Sequence, residues 1–127
     1  MKIFFFATLL SISFLFPSST LASHVNLKPC IEIAHCVREE LDVSNIEEPF
    51  ENIKLIIEKT PRTQIVELNG DYLHAEAKTK WMKYIDDLEV SFLPESNKMI
   101  IRSESRVGES DLGVNKKRVE LLKSKFL

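Results

Sequence analysis

Hydrophobic positions along the chain change their period several times, and each change marks an element. The chain opens on Ile3 to Phe16, a continuous Phe/Leu-rich apolar run that Pro17-Ser18-Ser19 interrupts. Further on, Phe50, Ile53 and Ile57 recur at helical spacing, Ile56 widens the stripe, and Thr60-Pro61 ends it. Pro49 suits a first helical turn, where no N–H is needed, so a short amphipathic helix is predicted over 49–59. A period of two then takes over. Arg62 to Leu68 and Asp71 to about Lys80 flank Asn69-Gly70, the strongest short hairpin signal available. A loop of those two residues pairs Leu68 with Asp71, Val66 with Leu73 and Gln64 with Ala75. Leu73, Ala75 and Ala77, continued by Trp81, then line one face, and His74, Glu76, Lys78 and Lys80 the other.

Asp87 to Leu93 alternates again, with Leu88, Val90 and Phe92 inward. Pro94-Glu95-Ser96-Asn97 is turn chemistry, and Lys98 to Ser105 follows with Met99 and Ile101 inward. Pairing Phe92 with Met99 sets Glu89 opposite Arg102, which is favourable. It also sets Asp87 opposite Glu104, a like-charge pair that needs a nearby cation or a slipped register. Beyond a Gly-containing loop from Arg106 to Gly113, the residues Val119, Leu122 and Phe126 mark an amphipathic helix beginning near Asn115.

Together these elements predict an α+β domain: a four-stranded antiparallel sheet (a meander) with an N-terminal and a C-terminal helix on one face. Residues 23–48 read as an irregular arm. Its acidic middle, Glu32, Glu39, Glu40, Asp42, Glu47 and Glu48 against Arg38, reads as a solvated face. The last helix carries Lys116, Lys117, Arg118, Lys123 and Lys125 against Glu120, and reads as a solvated outer surface, with anionic lipid as the alternative partner.

The apolar opening run places the rest in a compartment. Lys2 precedes it, and Thr20-Leu21-Ala22 supplies small residues after it. This is the layout of a signal peptide over 1–22, cleaved after Ala22, with one domain over 23–127 and a secreted or periplasmic destination. The run is shorter than the about 20 apolar residues of a membrane span, and no later segment reaches that length. Of 127 residues about 105 then remain, enough for one small core. Without Lys2, 16 basic residues face 19 acidic ones, a net −3 that argues against a nucleic-acid partner. A composition 44% apolar and 28% charged argues against a disordered chain. Two cysteines are too few for a disulfide scaffold or a four-thiolate zinc site. In an oxidising compartment, Cys30 and Cys36 are expected to form a disulfide. The competing reading is a metal site from His24, Cys30, His35 and Cys36, whose spacing matches no common zinc pattern.

The segments Pro61-Arg62-Thr63-x-Ile65-Val66, Gly70 to Glu76 and Asp86-Asp87-x-Glu89-Val90 resemble a known family. So does the tail from Ile101-Arg102-Ser103-x-Ser105-Arg106-Val107-Gly108 through Ser110 to Asn115 and on to Arg118-Val119-Glu120. Together they are similar to the domain of unknown function 1499, small proteins of bacteria and plastid-bearing eukaryotes, from about Pro29 to Leu122. Cys30 and Cys36, followed by Val37, resemble that family's N-terminal segment, although Ile31 to His35 replaces its usual Ser/Pro-rich stretch. The resemblance implies a shared domain and no established activity.

Candidate chemistry is concentrated in two places. In the tail, Arg102 and Arg106 offer guanidinium forks, Ser103, Ser105 and Ser110 hydroxyls, and Gly108 and Gly113 close backbone approach to an anion near Asn115. Alternatively, Ser110 or Asp111 simply caps the last helix. On the sheet, His74, Glu76, Asp86 and Asp87 form a polar face. The expected function is therefore a non-catalytic binding or accessory module for an anionic small molecule or protein partner, without a cofactor. The alternative is an enzyme: hydrolase-like, from Ser103 or Ser105 with His74 and Asp86 or Asp87, or cation-dependent, from Asp86, Asp87, Glu76 and Glu89.

Overall fold

The computed structural model describes residues 25–127; the apolar leader, its cleavage after Ala22 and His24 lie outside the described residues. The element order is β1 (Cys36–Asp42), α1 (Pro49–Glu58), β2 (Thr63–Asn69), β3 (Tyr72–Lys78), β4 (Ile85–Leu93), β5 (Lys98–Ser105) and α2 (Val114–Phe126). The sheet has five antiparallel strands, not four, in the order β1-β5-β4-β3-β2. Four of them are the expected meander. The fifth, β1, lies in the segment expected to be an irregular arm, and pairs with β5 from Cys36↔Glu104 to Asp42↔Lys98. Its run of charge hid it, because Glu and Asp are poor strand residues. At a sheet edge that charge is tolerated and keeps the strand from pairing further.

The chain crosses from β1 at one edge to β2 at the other through α1. Helix α1 lies against β2 and β4, helix α2 lies against β5 and β1, and the helices touch each other. Phe50, Ile53 and Ile57 of α1 and Val119, Leu122 and Phe126 of α2 share one buried cluster with Leu73, Ala75, Leu88, Val90, Met99 and Ile101. Every second strand residue thus enters this core. The intervening residues form what is called here the outer side of the sheet.

The β4–β5 register is the expected one, with Phe92↔Met99, Glu89↔Arg102 and Asp87↔Glu104. The β2–β3 hairpin differs. Its loop is Gly70-Asp71, flanked by Asn69↔Tyr72, so Leu68 faces Leu73 rather than Asp71. Gly70 takes φ +57°, the left-handed conformation that this first loop position requires. Val66 is then left without a partner in a bulge between Ile65↔Ala75 and Glu67↔His74. Trp81 does not continue the inward stripe: β3 ends at Lys78, and the indole is 84% exposed.

Cys30 and Cys36 are joined in a disulfide, so neither thiol is free for the alternative metal site. The bridge ties the arm to the first residue of β1. Upstream, the Val25 carbonyl accepts from Ser91 Oγ (2.5 Å), and the Leu27 carbonyl from Arg38 Nε (3.3 Å). Ser91, Arg38 and the buried Ile100 all belong to the outer side, so residues 25–27 lie across that end of it. No helix among the described residues is long and apolar enough to cross a membrane.

Candidate functional site

The expected site residues do not meet in one place. Cross-strand pairing puts Asp86 opposite Ser105, and Leu88 opposite Ser103, on the core side; it puts Glu76 and Glu104 opposite Asp87, and His74 opposite Glu89, on the outer side. The sheet itself therefore stands between His74 and the strand serines. The hydrolase-like set of His74, Ser103 or Ser105 cannot assemble, because neighbouring residues of one strand project in opposite directions.

On the outer side the charged residues pair with one another. Arg106 bonds Asp87 (2.9 and 2.7 Å) and Glu76 (2.7 Å), while His74 Nε2 lies 2.7 Å from Asp87 Oδ1. Arg102 bonds Glu89 (3.1 Å) and Glu104, and the Tyr72 hydroxyl donates to Glu89 (2.9 Å). The cation required by the Asp87–Glu104 opposition is thus present twice. Arg106 holds the Asp87 carboxyl below its ordinary range; burial opposes this and His74 assists. Burial first, then the Glu89 carboxylate, push the Tyr72 phenol well above its usual range, so it stays a donor. Four carboxylates surround two guanidinium groups here, and both arginines are engaged. The expected anion grip by Arg102 and Arg106 is therefore not formed. The alternative cation site is likewise divided: Asp87, Glu76 and Glu89 are bonded to arginines, and Asp86 lies on the other side.

The core-side polar residues gather under the start of α2. Asn115 is fully buried there. Its two amide N–H groups are shared among Ser105 Oγ (2.8 Å), Asp111 Oδ2 (2.7 Å) and the His35 carbonyl (3.2 Å), and its oxygen accepts from Ser103 Oγ (2.6 Å) and Arg118 Nη1 (2.8 Å). Arg118 only donates and the Asp111 carboxylate only accepts, which fixes the orientation of the amide. Asp111 also accepts from the backbone N–H groups of Gly113 (2.8 Å) and Asn115 (3.0 Å), the capping role anticipated as the alternative. Burial opposes its ionisation, but the Asn115 and Gly113 hydrogen bonds outweigh that and hold the carboxyl below its ordinary range. Ser110 Oγ accepts only from Leu112 N–H, at 3.4 Å.

Arg118 completes this cluster. Its Nη2 reaches Asp86 Oδ2 at 2.7 Å, with the Asp86 side chain 1% exposed and the Arg118 side chain 14%. Its spacing supplied a signal: Arg118 is three residues after Asn115 and four before Leu122, on the buried flank of α2. Lys123 occupies the equivalent flank beside Val119 and Phe126, and bonds Glu39 of β1 at 2.5 Å. Neither belongs to a freely solvated basic face.

Beside this cluster the β3–β4 connection (79–84) and the β5–α2 connection (106–113) wall a cleft of about 540 Å³. The β3–β4 connection is closed by hydrogen bonds from Thr79 N–H to the Tyr84 carbonyl and from Tyr84 N–H to Thr79 Oγ1, both 2.9 Å. Asp86, Ser105, Asp111 and Arg118 form its polar lining. Its apolar rim includes Trp81, Met82, Tyr84, Val107 and Leu112, all exposed. Arg62, Lys78 and Lys80 add positive charge, and Lys80 Nζ stands 5.3 Å from the centre of the Trp81 ring. Asp86 Oδ1 is buried without a hydrogen-bond partner. Of the expected residues, Asp86, Ser105, Ser110 and Asp111 line the cleft, whereas the rim residues were not anticipated.

Residues 26–126 match the family described as Protein of unknown function (DUF1499). The chain belongs to that family. No curated protein and no solved structure matches it. The DUF1499 tail motif has a concrete role in this chain. Ser103, Ser105, Asp111 and Asn115 fasten β5 to the start of α2, while Arg102 and Arg106 hold the outer side together.

Proposed function

We propose that this DUF1499 protein is an exported, non-catalytic binding module that accepts an amphipathic anionic small molecule in the cleft between residues 79–84 and 106–113. One observation carries this reading: exposed Trp81, Met82, Val107 and Leu112 ring a concave site that Arg62, Lys78 and Lys80 also line. A volume of about 540 Å³ falls within the ~300–1,000 Å³ of small-molecule sites, which combine apolar linings with a few polar groups. An apolar chain packs on the rim, and an anionic group faces Arg62, Lys78 and Lys80. The separation of His74 from Ser103 and Ser105 favours binding over hydrolysis. Export rests on the leader pattern of residues 1–22.

Trp81 is the chain's one tryptophan, which makes the test direct. Titration with monomeric decyl phosphate should shift its emission to the blue and raise the melting temperature. Decanol should bind more weakly, and Arg62→Gln/Lys78→Gln should remove the preference for the phosphate. No emission change and no stabilisation with decyl phosphate or decyl sulfate would refute the assignment.

A further inference from the structure

We infer that the mouth of the cleft is a docking surface for an anionic lipid bilayer. This goes beyond ligand binding and shares with it the rim residues and the cations Arg62, Lys78 and Lys80. The connection Thr79-Lys80-Trp81-Met82-Lys83-Tyr84 contains no acidic residue, and its two central side chains project into solvent, Trp81 at 84% exposure and Met82 at 65%. Leu112, at 88% exposure, stands on the neighbouring connection across the cleft. Large apolar side chains so exposed on adjoining loops mark an interaction surface rather than a solvated one.

The charge around them selects the partner. Arg62, Lys78, Lys80 and Lys83 line the shelf next to the cleft. None of the four forms an ion pair among the described residues, in contrast to Arg102, Arg106 and Arg118, which all do. On this shelf Glu76 is the acidic residue, and Arg106 already engages it. A chain of formal charge −2 thus concentrates positive charge without ion pairs around the most exposed aromatic ring among the described residues. A second copy would bring the same four cations against themselves, which disfavours self-association through this surface. Anionic headgroups complement it, while Trp and Tyr occupy the interfacial zone where an apolar ring and a polar edge are both satisfied. The geometry points to shallow insertion of Trp81, Met82 and Leu112, with the lysines at headgroup level and the cleft opening onto the bilayer.

The experiment uses the purified full chain with vesicles of phosphatidylcholine alone and of phosphatidylcholine mixed equally with phosphatidylglycerol. Trp81 emission, and its quenching by lipids brominated on the acyl chain, report this loop alone, whatever other segment touches the vesicle. The mixed vesicles should give a blue shift and quenching, and neutral vesicles much less. High salt should weaken the effect, and Lys80→Glu/Lys83→Glu should lower the apparent partition coefficient roughly tenfold or more, since each basic residue near the surface contributes measurably. Unchanged circular dichroism of that variant, in which only exposed loop residues change, confirms its fold. An unshifted Trp81 on mixed vesicles, or an equal response to neutral vesicles or by the charge-reversed variant, overturns docking. Decyl phosphate titration of the same samples keeps the two conclusions apart: it reads the cleft without a bilayer, and a positive result there beside a negative vesicle result sinks docking alone.

Discussion

Replacing Arg118 with methionine tests whether the cleft floor is built on a buried ion pair. The substitution keeps an unbranched side chain of similar reach and removes the charge opposite Asp86. An exposed pair contributes only about 0–1 kcal/mol, because water screens both partners and both lose side-chain freedom. Asp86 and Arg118 are not in that regime, with side chains 1% and 14% exposed. Removing one partner strands the other without solvent, at a cost of about 3–5 kcal/mol. Asp86 Oδ1 already lacks a partner, so loss of the Oδ2 bond leaves the whole carboxylate unsatisfied. The other two Arg118 contacts weigh less, since Ser103 Oγ and Asn115 Oδ1 also bond each other at 2.6 Å. For a domain of this size, each kcal/mol lowers the melting temperature by about 4–8 °C, so a fall of roughly 12–40 °C is expected.

The double variant Asp86→Leu/Arg118→Met removes both charges and should recover most of that loss, because an apolar pair of similar volume carries no desolvation penalty. Urea unfolding of the wild type, both single variants and the double variant completes a cycle whose coupling term isolates the pair. A loss below about 1 kcal/mol in Arg118→Met would place the pair in the screened regime. Simple additivity of the two single variants would show that Asp86 and Arg118 do not act together. Either result refutes the account of the floor.

Two further predictions address the outer side and the arm. Asp87, held below its ordinary pKa by Arg106, contributes stability that is present above the unfolded-state pKa of about 3.9 and lost as pH falls through the lower folded value. The stability difference between wild type and Asp87→Asn should therefore shrink below about pH 4, and Arg106→Gln should move the Asp87 carboxyl, followed by NMR, back up toward its ordinary value. For the disulfide, closure of the short Cys30–Cys36 loop is worth ~2.4 kcal/mol in chain entropy. Cys30→Ala/Cys36→Ala should lower the denaturation midpoint accordingly with little change in the slope, and an unchanged midpoint would show that the arm is held by its hydrogen bonds alone.

Legibility of the sequence followed the physics of each element. The β4–β5 register was readable because Leu88, Val90, Met99 and Ile101 alternate strictly, and a slip of one residue would invert them all. The β2–β3 loop was displaced by one residue because Asn69-Gly70 names a turn but does not say which side a bulge at Val66 will take up the slack. Strand β1 was hidden for a different reason. Its outer residues Arg38 and Glu40 and its core-side Glu39 are all charged, and Glu39 enters the core side only because Lys123 comes to meet it from α2. Pairing of that kind joins residues far apart in the chain, which local periodicity does not report. Trp81 was misplaced by extending a period of two beyond the end of its strand.

The division of polar residues between the two sides of the sheet decides which can recognise anything. Asp87, Glu76, Glu89, Arg102 and Arg106 are paired with one another, and Arg102 Nε is buried without a partner, so a ligand binding there would have to break existing ion pairs before making its own. Asn115, Ser103 and Asp111 are likewise committed, and substitutions among them act on folding first. Accessible unmet capacity lies elsewhere: Arg62, Lys78, Lys80 and Lys83, which form no ion pair among the described residues, and the apolar surface of Trp81, Met82 and Leu112. These groups border a single cleft and its rim. A binding partner gains most where exposed groups have been left unsatisfied by the fold itself, and for that reason the recognition we propose is assigned to the loop end of the sheet rather than to its charged outer side.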